Sequence, residues 1–252
     1  MPFEKYSLIQ TMLINTQGIV IKTIKYGETS VITHLFTRLG GLKSFIVNGV
    51  RSKRSTMPFG LFQPGTLLEC TMYHHDQKKL LRLKEARIAQ AWQKIPFDIK
   101  RSSVALFICE LLEKTIRDAE GHETLYDDTI AYLHYIDTTQ QSLANLPLHY
   151  LIDLSHHLGF GPQGEYTENN QFFDLQEGYF MSSPHSLHYI DKETSPYLSQ
   201  LLVQNYSQQG LFTMSREVRR VIFDHLLKYY SLHIENFPAL HSPEVFRSVM
   251  EL

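Results

Sequence analysis

From Ile14 to Ala89 the chain alternates β-branched and apolar residues with basic or polar ones, and the alternation breaks at short turns. This pattern predicts five strands, at Ile14–Lys25, Thr29–Thr37, Leu42–Val50, Thr66–His74 and Leu80–Ala89. Tyr26-Gly27-Glu28, Arg38-Leu39-Gly40-Gly41, Pro64-Gly65 and Asp76-Gln77-Lys78-Lys79 supply the turn chemistry between them. Strict alternation in the first strand places Ile19 and Ile21 on one face and Val20 and Lys22 on the other. The one long connection, Arg51–Gln63, contains Pro58 and Gly60 and reads as irregular. Five short strands with one long link between the third and fourth fit an OB-type barrel better than a sandwich.

Beyond Pro96 the period lengthens. Val104, Phe107, Ile108, Leu111 and Thr115 fall at helical spacing, with Lys100, Arg101, Glu110 and Lys114 outside the stripe. Thr124–Tyr135 and Leu143–Leu158 behave likewise, the latter stopped by Gly159. Residues 161–191 are rich in turn formers, with a hairpin expected between Phe172–Leu175 and Tyr179–Met181. Ser215 starts a helix carrying Val218, Ile222, Leu226 and Tyr229 on one face, and Ser242–Met250 adds a short terminal helix. The expected class is α+β. A leader occupies residues 1–11, with Met12 as an alternative start. An OB-fold barrel follows at 12–92, then a mainly α-helical domain at 97–252 with a turn-rich hairpin insertion at about 161–191.

Charge sharpens this division. The whole chain of 252 residues has a net charge of −2, but residues 1–92 hold 13 Lys and Arg against 5 Asp and Glu. Residues 93–252 hold 11 against 21. Such a split marks a polyanion-binding module joined to an acidic one. Two distant cysteines, Cys70 and Cys109, offer neither a disulfide framework nor a four-thiolate site, and they point to a reducing compartment. No apolar run is long enough for a membrane helix, and Glu4 interrupts the first residues where a signal peptide needs an apolar core. A cytoplasmic protein without membrane attachment is expected.

The candidate chemistry is electrostatic. Lys43, Arg51, Lys53 and Arg54 gather on the third strand and the loop after it, and Lys78, Lys79, Arg82 and Lys84 gather at the last hairpin. Cations so placed neutralise phosphates without reading sequence. Phe45, Phe59, Phe62 and Tyr73 are candidates for stacking on unpaired bases, with core packing as the alternative. Gly159-Phe160-Gly161-Pro162-Gln163-Gly164 has the spacing of a dinucleotide loop, but a helix precedes it and Pro162 removes an amide. His74-His75 and His156-His157 lack the i,i+4 spacing of helical metal ligands. No nucleophile elbow, phosphate loop or H-E-x-x-H motif occurs. No catalytic residue and no cofactor is therefore expected.

Several of these stretches together resemble the RecO family of bacterial recombination mediators. Gly18-Ile19-Val20, Tyr26-Gly27-Glu28, Phe36-Thr37 and Gly40-Gly41 look like its opening. Gly49-Val50-Arg51-Ser52-Lys53-Arg54-Ser55 and Phe62-Gln63-Pro64-Gly65 continue the likeness, as do Glu110-Leu111-Leu112 and Leu158-Gly159 with Pro162. The order holds over almost the whole chain from Met12. The resemblance implies binding of single- and double-stranded DNA, annealing of complementary strands, and work in DNA repair and recombination near the bacterial nucleoid. It implies RecR, and in many members RecF, as partners in loading RecA onto strands coated by single-stranded DNA-binding protein. It places the DNA at Lys43, Arg51, Lys53 and Arg54.

Many members also carry two C-x-x-C pairs that bind zinc after the position of Pro162. Gln163–Ser183 contains no cysteine, so no metal is carried over. The resemblance further implies a site in the helical domain for the acidic C-terminal tail of the coating protein. Arg216, Arg219 and Arg220 beside Phe223 are the candidates, because they form a basic cluster in the acidic half. Two other functions remain open from the residues alone. One is an OB-fold RNA-binding or translation-associated adaptor. The other is a metal-dependent enzyme using His185, His188 and Asp174.

Overall fold

The computed structural model describes residues 12–52, 55–74, 79–117, 122–207 and 213–250. The expected leader, 1–11, lies outside them. Among the described residues two compact units result, divided after residue 91, with the stretch up to 127 that follows residue 115 returning to the first.

The first unit is a closed barrel. Its strands are β1 (Met12–Tyr26), β2 (Ser30–Thr37), β3 (Gly41–Val47), β4 (Leu67–His74) and β5 (Leu80–Gln90), in the order β1-β2-β3-β5-β4. That is an OB-like arrangement. All neighbours are antiparallel except β3 and β5, which run parallel with Phe45 opposite Leu81. β1 is long because it serves two partners. Met12 to Ile19 pair with β4, and Gly18 to Tyr26 pair with β2. Gly18 belongs to both ladders, and a Cβ there would lie 3.3 Å from the Thr37 methyl and 3.4 Å from Leu35 Cβ.

The register shifts between Val20 and Lys22, so Ile21 is a bulge residue. This corrects the expected alternation, since Ile19, Val20 and Ile21 are all buried. Val20 faces the barrel interior with Val31, Leu35, Phe45, Val47, Leu68, Cys70, Met72, Leu81 and Leu83. Ile19 pairs with Phe36 on the outside, where the Phe36 ring lies 5.7 Å from that of Tyr126. An apolar outer patch needs a cover, and Tyr126 supplies it from a residue that groups with the barrel. Arg38 secures this cover by donating to both Asp127 carboxylate oxygens, at 2.9 and 3.0 Å.

The long connection after β3 closes one end of the barrel. β3 ends at Val47, short of the expected Val50, and Gly49 follows with φ +72°. A 3-10 turn at Phe59–Phe62 then inserts the fully buried Phe62 into the core.

The second unit contains α1 (Ile99–Thr115), the later turns of α2 (Glu123–Thr138), α3 (Leu146–His157), α4 (Ser195–Val203), α5 (Arg216–His233) and α6 (Ser242–Met250). A three-stranded sheet, ordered β7-β6-β8, is built from β6 (Phe172–Asp174), β7 (Tyr179–Met181) and β8 (Tyr189–Ile190). The hairpin expected at Phe172–Met181 is present, whereas β8 and α4 were not expected. α3 is buried on nearly every side, from Leu146 to Ser155. Such a helix is apolar all round, so it carries only a weak amphipathic signal.

Buried and half-buried carboxylates organise the loops of this unit. Asp137, at 5% exposure, accepts from the backbone N–H of Gln93 (2.9 Å), Lys94 (2.7 Å) and Ile95 (2.9 Å). Burial alone would raise its pKa, but these donors and Arg101 hold it below the usual carboxylate range. Glu110 does the same for α6, accepting from the N–H of His241 (2.8 Å) and of Ser242 (2.7 Å).

Two stability predictions follow from these anchors. Phe62→Ala removes the buried ring that closes the barrel and should cost about 3–5 kcal/mol in urea unfolding. For Asp137, a depressed folded pKa means stability that is present above the unfolded value of about 3.9 and is lost as pH falls through the folded pKa. Asp137→Asn should therefore be less stable than wild type by about 2 kcal/mol at pH 7. The gap should narrow as the pH is lowered from about 5 toward 2, as measured by urea titrations at each pH.

Candidate nucleic-acid interface

Strand register decides which barrel cations share a surface. Side chains directly opposite each other point to the same face, and inward positions are fixed by the core. Arg82 is opposite Ile46 on β3 and Tyr73 on β4, so it faces outward between inward-facing Leu81 and Leu83. Lys22 faces outward opposite His34, which is itself opposite Ser44. The His34 Nδ1 and Ser44 Oγ atoms are 3.1 Å apart.

Lys43 differs from the expectation of a simple surface cation. It is opposite the core residue Leu35 and two positions before the core residue Phe45, at the β2–β3 hairpin end of the barrel. Its aliphatic stem passes Gly40 so closely that a Cβ on that glycine would lie 3.2 Å from Lys43 Cε. Lys79 is exposed one step before Leu80, which is opposite Ser44, so Lys43 and Lys79 lie at the same end. Arg51 is exposed at the other end, where its guanidinium donates to the carbonyl of Gly27 at 2.5 Å. It thereby ties the basic loop to the β1–β2 turn. Lys53, Arg54 and Lys78 lie outside the described residues.

The register thus strings Lys79, Arg82 and Lys22 along the β1-β2-β3-β5 side, with Arg51 and Lys43 at opposite ends. Sequence reasoning missed Lys22, because its face could not be known without the bulge at Ile21. A groove of about 450 Å³ on the β1-β4-β5 side is less suited to phosphate. There Arg87 is matched by Glu69 at 2.8 Å, and Glu85 also lines the wall.

Of the aromatics expected to stack on bases, Phe45 and Phe62 are fully buried and belong to the core. Phe59 is partly buried against that core. Tyr73, 38% exposed and facing outward beside Arg82, is the one of the four on the open surface. Their β-strand and loop contexts gave no sign of which face each would take.

In the second unit, Ser215 caps α5 by accepting from the Val218 N–H at 3.2 Å. Arg216 and Arg220 are exposed in its first turns. Arg219 is partly buried, donating through Nε to Asn145 Oδ1 (2.7 Å) and through Nη2 to the Met214 carbonyl (3.0 Å). Burial, and secondarily Arg216, lower its pKa. Phe223 is only 1% exposed and its ring packs 5.6 Å from that of Phe107. It is a core residue, and the expectation that it lies beside a docked peptide is corrected.

The other candidates resolve into structure. After α3 the chain turns at Gly159 (φ +85°), and a Cβ on Gly161 would lie 2.0 Å from His156 Nδ1. The glycines of the dinucleotide-like loop thus serve a helix stop and a close approach to an imidazole. Asp174 is fully buried, and its carboxylate accepts from the N–H of Gln176, Glu177, His185 and Ser186 and from the Ser186 hydroxyl, at 2.8–3.2 Å. Burial opposes its ionisation, but these donors keep its pKa lowered. Its lone pairs are committed to two turns, whereas His185 and His188 have exposed side chains. Among the described residues no three His, Cys, Asp or Glu side chains are grouped to hold a metal. The zinc of many RecO proteins does not fit this donor set either, since both cysteines are buried in different units.

Comparison with known proteins gives these surfaces a context. The family described as "Recombination protein O N terminal" matches residues 12–92, and "Recombination protein O C terminal" matches residues 96–243. The chain is 34% identical over 242 residues to a protein of Bacteroides fragilis named DNA repair protein RecO, covering 95% of this chain and 100% of that one. Proteins of the same name from Flavobacterium psychrophilum and Phocaeicola vulgatus are 33% and 32% identical, each covering 94% of this chain and 99% of the relative. No helix among the described residues is long and apolar enough to cross a membrane. Two matching family halves, full-length relatives and an OB-like barrel followed by helices place the chain in the RecO family of DNA repair proteins.

Proposed function

We propose that this protein is a recombination mediator that binds single- and double-stranded DNA, anneals complementary strands and helps to load RecA onto strands coated by single-stranded DNA-binding protein. The observation that carries this reading is the set of exposed cations Arg51, Lys79 and Arg82 on an OB-ordered barrel, in a chain that matches RecO proteins over 95% of its length. The mechanism is physical. Lys22, Lys79, Arg82 and Arg51 would neutralise phosphates of approaching strands, lowering the repulsion between backbones while leaving bases to pair. Such a process needs no covalent step and no cofactor. Strand annealing measured with and without the coating protein is the direct test of the whole reading.

RecR, and in some settings RecF, are the partners that family membership suggests. The exposed Arg216 and Arg220 at the start of α5 suit the acidic tail of the coating protein, because they present positive charge on an otherwise acidic half. Arg219 would act from behind them, since its guanidinium is engaged with Asn145 and Met214.

Two binding measurements check these assignments. Arg51→Glu, Lys79→Glu and Arg82→Glu together should weaken DNA of every sequence alike and reduce the log–log salt slope for single strands by about 2, near 0.7 per lost phosphate contact. An unchanged slope would remove the barrel cations from the DNA site. Arg220→Glu should weaken a carboxylate-terminated acidic peptide about fivefold or more without lowering thermal stability. Arg219→Glu, in contrast, should also lower the melting temperature, because it breaks the Asn145 contact.

A further inference from the structure

The small sheet of the second unit buries one face and presents the other. Phe173 is opposite Phe180 on β7 and Ile190 on β8, so the three share a face. All are buried, and the Phe173 ring lies 6.1 Å from that of Tyr229 on α5. The alternate residues point the other way. There Asp174 is opposite both Tyr179 and Tyr189. Phe172, two positions before Asp174, shares that face, and its ring lies 5.8 Å from that of Tyr189. Tyr179 is 42% exposed and Tyr189 38%, and Leu187 on the turn before β8 is 94% exposed.

The presented face is braced. The Asp174 carboxylate fixes the backbone N–H groups of Gln176 and Glu177 on one side and of His185 and Ser186 on the other. Ser186 Oγ then accepts from the His188 N–H at 3.0 Å, so Leu187 stands at the tip of a tied turn. Groups ordered beforehand lose little freedom when a partner binds. The charge around them is one-sided. From Asp128 to Asp191 the sequence has eight Asp and Glu and neither Lys nor Arg. Glu168 lies ahead of β6, Glu177 in the β6–β7 turn and Asp191 just past β8, and all three are exposed. Glu165, exposed as well, follows the bridge that pairs Gln163 with Tyr179. Asp174 adds a buried negative charge whose donors are neutral N–H and hydroxyl groups. Lys192, the first cation after this stretch, is 3.9 Å from Glu193.

We infer that this face is a docking site for a cationic segment of a protein partner, a strand or loop in which Arg or Lys alternates with apolar residues. Tyrosine rings accept guanidinium and ammonium groups over their faces, and the carboxylate rim pairs with the same charges. Leu187 and Phe172 meet the apolar residues between them. Tyrosine is also among the side chains that carry most energy at protein interfaces. Charge decides the class of occupant, because a rim of carboxylates attracts a basic peptide and repels a phosphate backbone. The site goes beyond the proposed DNA binding, which lies with the barrel cations, and it stands or falls separately.

The test uses the full chain and a labelled peptide in which arginine alternates with leucine, beside a copy with glutamate in place of each arginine. Wild type should bind the arginine peptide about tenfold more tightly, an advantage that shrinks as salt is raised. Tyr179→Ser with Tyr189→Ser leaves the charge as it was and should weaken the arginine peptide about tenfold. Tyr179→Phe with Tyr189→Phe keeps both rings and should bind nearly as wild type. Leu187→Ser changes a side chain that is almost wholly exposed, so it leaves the fold intact, and it should weaken the peptide about threefold. It decides the matter if the double serine variant does not fold. Glu168→Gln with Glu177→Gln should weaken binding and flatten its salt dependence. Equal binding of the two peptides by wild type overturns the inference. So does full-strength binding of the arginine peptide by both the double serine variant and Leu187→Ser, since acidity alone then accounts for it. Dimers of the chain that Tyr179→Ser with Tyr189→Ser converts to monomers would overturn it too, by making the occupant a second copy. A wild type that binds the arginine peptide but no DNA would remove the proposed function and leave this site standing.

Discussion

The barrel depends on one strand serving two ladders. β1 pairs with β4 through its first half and with β2 through its second, so five strands close without leaving an edge. Closure demands a stagger. The row that leaves β1 at Ile24 passes through Ile32, Ile46, Arg82 and Tyr73 and returns to β1 at Leu13, eleven positions earlier. Such a shift tilts the strands about the barrel axis. It is accommodated by Gly18, where a side chain would crowd Thr37 and Leu35, and by the extra residue Ile21. Removing the extra residue would rotate every outward residue of the second half of β1 to the wrong face.

Part of the negative charge of the acidic half is spent within the fold. Asp137 collects three successive backbone N–H groups, Asp174 gathers donors from two turns, and Glu110 seats the start of α6. Each carboxyl has a lowered pKa, because hydrogen bonding to the ionised form outweighs burial. Negative charge counted along the sequence therefore overstates the negative charge presented to a partner. Asp174 also gives the hairpin segment an organiser made of hydrogen bonds, in a chain without the thiolates a zinc ion would require.

Much of the architecture is legible in the residues. Alternation located five barrel strands to within a few positions, and helical spacing found α1, α2, α3, α5 and α6. α4 escaped because its sequence, Ser195 to Val203, begins with Ser-Pro and buries only Ser195, Leu198 and Leu201, too brief a stripe to stand out. For the site, charge asymmetry pointed to the barrel, yet it could not tell a lysine beside the core, Lys43, from an outward one such as Lys22. Aromatic type was a poor guide for the same reason: Phe45 and Phe62 are apolar enough for either place, and the interior claimed them.

By itself the sequence determined which segments extend and which coil, that basic and acidic halves are separate, and that no thiolate set exists for a metal. These are local or additive properties of the chain. The tertiary structure decided the parallel pairing of β3 with β5, the bulge that turns Ile24 and Lys22 outward, and the cover that Tyr126 places over Phe36. All three depend on residues far apart in sequence meeting at a fixed register. A register has no signature in composition or in period, because a slip by one residue keeps the same pattern and reverses the face.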